Sequence, residues 1–363
     1  MSKLIRRIDA RLRVSKDPQE RGVLFARRGI YLARMGLFVE ADRIIQYLRR
    51  RFPNGSDPKI SIWVMMTEGV RDFYSTLNPS AYDRIFRAQL LSLAIGDSHS
   101  SALASAWRAH LEFERSDYGA LREALENCFS NAKDKDHDAL VRAAMIMMQT
   151  FTLMGDRAQA QGWYMMARNH ALAAGDQISL EALVHNRASF GVASLRLKRC
   201  NGPLSEPSLR LINGEMDSAL GFRAIYSAQA LRQLLSLAAA RLLIAEDRHG
   251  EALMAMVPLT KMGPFAANNF NTDMLNLEIA YCLCMMKELD QAVSYLVQVN
   301  DDALLTLDVD DRLVADWMLM EMARTDQRFG NLSLTEAKYL RTKEELEQSF
   351  RDLAAALGGF QPM

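Results

Sequence analysis

The residues with the clearest capacity for chemistry are six histidines, four cysteines and two acidic runs, in a chain of 363 residues. Asp134, Asp136 and Asp138 in DKDHD alternate like the first ligands of a calcium loop. That loop needs glycine next and a bidentate glutamate at its end, but Ala139 and Met145 occupy those positions. The run reads as a solvated turn between helices, and DVDD at 308–311 fails in the same way. Cys128, Cys200, Cys282 and Cys284 form no CxxC pair, and no histidine stands at zinc-ligand spacing from two of them. They read as buried free thiols of a cytoplasmic protein. Neither GxGxxG nor GxxxxGK[ST] occurs, and GxSxG and HExxH are missing. No acid or nucleophile stands at a recognisable spacing from His110 or His185. The sequence therefore predicts no enzyme, no cofactor and no metal.

Composition points to folded helices. Hydrophobic residues make up 49% of the chain and charged residues 24%, far from the balance of a disordered polymer. Nine prolines leave long stretches uninterrupted. Net charge is zero, so no global field draws the chain to nucleic acid or a membrane surface. The charges are unevenly spread: residues 1–51 carry fourteen Lys/Arg against five Asp/Glu, and residues 286–311 one Lys against seven acids. Opposite charge at the two ends would suit end-to-end association, as in a homodimer through terminal repeats. No apolar run reaches the roughly 18 residues that a bilayer span needs. The N-terminal segment has no continuous apolar core, so it does not read as a secretory signal. It predicts a basic amphipathic helix over residues 1–21, with Leu4, Ile5, Ile8 and Leu12 on one side. Such a helix would cap the first repeat; a transit peptide or an anionic-surface anchor is the alternative.

Anchor residues, six of eight of them Gly or Ala, recur along the chain at a fixed step. Gly29, Gly69, Ala109, Met148, Ala188, Ala240, Ala280 and Met320 lie 39 or 40 residues apart, except for one step of 52. Twelve residues after each, apart from Ala188, stand Ala41, Ala81, Leu121, Ala160, Ala252, Ala292 and Leu332. A sustained period of this length signals a repeat architecture. Antiparallel helices cross closely where side chains are small, and twelve residues carry the chain through a turn into the second helix. Gly36 and Gly155 suit the end of a first helix, and Pro53 ends a second one. Within the long step, KRCNGPLSEPSLRLING at 198–214 holds two prolines and two glycines. It predicts a long loop that serves as a surface insertion, a lid or a hinge. Ser333 and Glu336 have capping-box spacing and open a C-terminal capping helix over 333–363.

Residues 22–55 resemble a tetratricopeptide repeat, with Phe25 as the early large residue, Gly29 as the small one, Ala41 in the second helix and Pro53 at the end. The later units resemble the same pattern in degenerate form, over about 22–340, and their period is longer than the family's. The resemblance implies an all-α, right-handed superhelical solenoid of about eight helix pairs across 22–332, and no catalysis. It also implies a concave groove lined by first helices that holds a protein or peptide, as an adaptor does. The lining would include Trp63, Phe73, Tyr74, His110, Arg142, Gln149, His185, Asn186, Arg241 and Tyr281. Asn186 matches the groove asparagine that bonds a bound peptide's backbone or carboxylate, and Arg142 and Arg241 would pair with an acidic group. The 21 methionines read as gap-filling packing or as an adaptable apolar binding surface. Two alternative functions stand beside the adaptor: a regulatory receptor for a short peptide or small effector, and binding of nucleic acid or an anionic membrane through the basic N-terminal arm.

Overall fold

Aspartates write the helix starts. Asp17, Asp97, Asp117, Asp156 and Asp176 each accept a backbone N–H from the first turn of the helix that follows. Left-handed residues write many of the ends. Gly36, Ser116, Gly155, Asp247 and Lys287 all have positive φ, between 55° and 83°. Each stands seven residues after its small-residue anchor, so five hairpins turn on the same repeat position. Glycine takes that conformation without steric cost, whereas Ser116, Asp247 and Lys287 each bear a strain of about 1 kcal/mol.

The computed structural model describes residues 2–53, 56–76, 80–225, 232–260 and 271–362. Among them are eighteen α-helices and no strand. A leading helix, α1 (Lys3–Val14), precedes eight hairpins. The first four pair α2 (Pro18–Arg34) with α3 (Phe38–Arg51), α4 (Pro58–Thr76) with α5 (Ser80–Ala94), α6 (Ser98–Glu114) with α7 (Tyr118–Asn131), and α8 (His137–Leu153) with α9 (Arg157–Ala174). The next three pair α10 (Gln177–Cys200) with α11 (Glu206–Ile225), α12 (Arg232–Ala245) with α13 (His249–Thr260), and α14 (Thr272–Met285) with α15 (Leu289–Leu296). A short α16 (Asp301–Leu305) leads to the last pair, α17 (Val309–Thr325) and α18 (Leu332–Leu357). Every anchor of the 40-residue step lies in a first helix, and, apart from Ala188, its partner twelve residues on lies in a second. The packing explains why the anchors are small. A Cβ on Gly69 would sit 2.8 Å from Ile85 Cγ1 and 3.2 Å from the Ala81 carbonyl of the partner helix. Ala109, Ala188, Ala240 and Ala280 are fully buried at the corresponding crossings. Burial is divided among several apolar clusters along the chain, as expected when each hairpin packs on its neighbours.

Both ends of the chain fold back on interior hairpins. The Leu4 N–H donates to the Gly175 carbonyl at 3.1 Å, and Ile5 and Ile8 pack with Leu24, Tyr31 and Ile178. The N-terminal helix thus ends at residue 14, short of 21, and covers the fifth hairpin as well as the first. At the other end, the Tyr118 hydroxyl of α7 meets Ser349 Oγ of α18 at 2.7 Å, and Phe129 packs on Phe360. The Tyr339 hydroxyl of α18 donates to the Cys200 carbonyl of α10 at 2.8 Å.

Two expectations are corrected. The long loop at 198–214 shrinks to residues 201–205, because α10 continues to Cys200 and α11 starts at Glu206. Pro207 falls in the first turn of α11, where its missing N–H leaves no bond unmade, and Gly214 is tolerated inside the helix. The step of 52 comes instead from two long helices, of 24 and 20 residues. The cap of α18 is also displaced: Asn331 accepts the Leu334 N–H at 3.2 Å, and Ser333 lies inside the helix.

Candidate functional site

Five successive first helices, α4, α6, α8, α10 and α12, surround one cavity of about 360 Å³. Phe73 and Tyr74 come from α4, His110 and Glu114 from α6, Arg142 and Gln149 from α8, and Arg241 with Leu237 from α12. The longest helix, α10, contributes His185, Asn186, Ser189, Phe190 and Arg196, a stripe at helical spacing.

The walls mix rings with buried polar groups. Phe73 stands edge-on to His110, with centroids 4.9 Å apart. The Arg142 guanidinium lies 3.8 Å over the Trp107 ring. The guanidinium charges of Arg142 and Arg34 both act on the Tyr74 phenol. Burial opposes ionisation of that phenol, but the two guanidinium charges outweigh it and hold Tyr74 below the usual tyrosine range. Arg142 is 5% exposed and has no carboxylate partner among the described residues; burial holds its pKa below the ordinary arginine value. Burial, and then the charge of Arg142, drives His110 down to about 3, so its ring is neutral. Burial also lowers His185, whose Nδ1 lies 3.0 Å from Asn186 Oδ1. Asn186 donates its own amide to Met145 Sδ at 3.3 Å.

The other two arginines are already matched. Arg196 and Arg241 converge on the fully buried Glu278 of α14, at 2.7 and 2.8 Å, and Arg196 also holds Asp311 of α17 at 2.6 Å. Burial penalises the Arg196 charge, yet Asp311 and Glu278 raise its pKa overall. Glu114 is exposed along the cavity, and the acids Asp308 and Asp310 disfavour its ionised form. By contrast, His110 Nδ1, Gln149 Oε1, His185 Nε2 and Ser189 Oγ are buried without a hydrogen-bond partner. A buried polar atom left this way costs about 1–3 kcal/mol, so four around one cavity form a set of hydrogen-bonding positions open to a ligand.

The structure brings together Phe73, Tyr74, His110, Arg142, Gln149, His185, Asn186 and Arg241. It separates two others. Trp63 is fully buried and lines a neighbouring cavity of about 460 Å³. Tyr281 packs against His249 and Trp317 in the C-terminal core, outside the inner cavity. The sequence reading missed Glu114, Ser189, Phe190 and Arg196. Extending the α10 stripe from His185 and Asn186 by one turn finds Ser189 and Phe190, and by three turns Arg196. The ion-pairing of Arg241 with Glu278 had no local signal, because 37 residues separate them. All four cysteines are free and buried, and no described helix is long and apolar enough to cross a membrane. No group of metal-ligating side chains occurs among the described residues.

Comparison with protein families and with characterised proteins gives no match for this chain.

Proposed function

We propose that the protein is a non-catalytic receptor of tetratricopeptide-like build, in which the eight hairpins form a right-handed superhelix and the inner cavity holds a short extended peptide segment. The observation that carries this reading is the set of four unpartnered buried polar atoms on His110, Gln149, His185 and Ser189 around one partly apolar cavity. A peptide backbone offers alternating N–H and C=O groups to such positions, and its side chains would rest on Phe73, Phe190 and Leu237. The small-volume form of the reading, a receptor for a few residues rather than an adaptor for a folded partner, is favoured by the size of the cavity. About 360 Å³ lies in the range of small-ligand sites.

The test is fluorescence anisotropy with a library of labelled short peptides, on wild type beside the Gln149→Leu, His185→Leu double variant. Saturable binding that weakens tenfold or more in the variant is expected. Peptides that bind both proteins equally, or a library without a binder, would reject the reading.

A further inference from the structure

The larger cavity, of about 460 Å³, lies under α1 and is built from different chemistry. Its lining carries six cations, Arg7, Arg11, Arg27, Arg34, Lys135 and Arg142, against two carboxylates, Asp138 and Asp176. The carboxylates are taken: Arg27 holds Asp138 at 3.0 Å and Arg34 holds Asp176 at 2.9 Å. Arg11 pairs with Glu20, outside the cavity. Arg7 donates only to the neutral carbonyls of Ala173 and Ala174, each at 3.1 Å. Arg7, Lys135 and Arg142 thus have no carboxylate partner among the described residues. Two buried donors on the same lining, Arg34 Nε and Trp63 Nε1, also lack a partner. Arg34 and Trp63 are both more than nine-tenths buried.

We infer that this cavity is a second ligand site, which takes the diphosphate group of a small phosphorylated molecule. Three uncompensated cations call for a ligand with more than one negative charge, and a single carboxylate would leave most of them unmatched. Guanidinium groups match phosphate oxygens two at a time, and the five arginines of the lining are each held by a neighbour before any ligand arrives. Arg7 and Lys135 are exposed at the mouth, and Arg142 stands in the wall shared with the inner cavity. The site is separate from the peptide reading and does not depend on it.

Isothermal titration of the full chain with sodium pyrophosphate, with ADP and with sodium acetate tests the inference. Pyrophosphate and ADP should bind saturably, at least tenfold more tightly than acetate, and more weakly as salt rises. ADP binding tenfold tighter than pyrophosphate assigns a nucleoside diphosphate; equal affinity assigns the phosphate group alone; either result supports the site. The Arg7→Gln, Lys135→Gln variant removes two exposed cations that no carboxylate needs, and should weaken pyrophosphate binding at least tenfold without lowering the melting temperature. Peptide binding by that variant should be unchanged. Absence of saturable heat with pyrophosphate and ADP overturns the inference. So does pyrophosphate binding that survives the Arg7/Lys135 variant, or that is lost instead in the Gln149→Leu, His185→Leu protein.

Discussion

Replacing Arg142 with methionine should make the protein more stable while removing function. The guanidinium is buried at 5% exposure and no carboxylate among the described residues neutralises it. Taking such a charge out of water costs several kcal/mol. Stacking on Trp107 at 3.8 Å returns up to about 2 kcal/mol. Electrostatic attraction to the Tyr74 phenol returns roughly 1–2 kcal/mol more. A net penalty of about 1–2 kcal/mol is left. Methionine keeps the length of the side chain and a sulfur contact to the indole, worth about 0.3–1.5 kcal/mol. Arg142→Met should therefore raise stability by about 1–2 kcal/mol, seen as a melting temperature higher by about 1–3 °C. Peptide binding in the inner cavity should fall in the same variant, the pattern of a site kept at a cost to the fold. The pKa of His110 should rise toward its ordinary value, because the Arg142 charge is the second cause of its depression. Differential scanning calorimetry and histidine NMR titration read both quantities. A loss of more than about 1 kcal/mol in Arg142→Met would mean that its charge is structurally compensated, and the reasoning for both cavities would lose its cation.

Three further outcomes follow from the packing and the buried charges. Gly69→Val should destabilise by roughly 1–3 kcal/mol, because its Cβ meets Ile85 at 2.8 Å and the Ala81 backbone at 3.2 Å; an unchanged urea midpoint would show that the crossing has room. Glu278→Ala leaves Arg196 and Arg241 with Asp311 as their one remaining carboxylate and should cost up to about 3 kcal/mol, whereas Arg241→Ala leaves Glu278 held by Arg196 and should cost less; equal losses in chemical denaturation would contradict the shared ion pair. His110 takes up a proton near pH 6.5 when unfolded but only near about 3 when folded, so its contribution is intact above pH 6.5 and fades as pH falls from 6.5 toward 3. His110→Gln should flatten the loss of stability between pH 7.5 and pH 5, and an identical slope in the variant would place the titration elsewhere.

The hairpins were legible because the same constraint recurs at the same position. Gly36 and Gly155 mark turns that need positive φ, and their register with Gly29 and Met148 repeats at Asp247 and Lys287, where no glycine advertises it. The segment at 198–214 misled because proline and glycine were weighed as breakers without their position. Pro207 in a first turn and Gly214 within a helix break nothing. The tetratricopeptide resemblance implied the first-helix side chains from Phe73 through Arg241 as lining, yet it could not say which neighbours leave space between them. Trp63 is also on an inward face, but of the other cavity, and Tyr281 meets Trp317 and His249 with no gap. The surplus charge under α1 was visible only as a basic N-terminus. That it faces Arg27, Arg34 and Arg142 from other hairpins depends on the chain returning to residue 175.

The pinned ends have a consequence for how the molecule comes apart. A row of hairpins joined only to nearest neighbours can peel from either terminus, one unit at a time. Here Leu4 is tied to Gly175, and Ser349 to Tyr118, so the first and last helices are fastened to interior hairpins. Releasing an end means breaking a contact more than 160 residues distant in sequence as well as the adjacent interface. Fraying is thereby converted into a collective event, with hydrogen-exchange protection as high in α1 as in the hairpins it clasps.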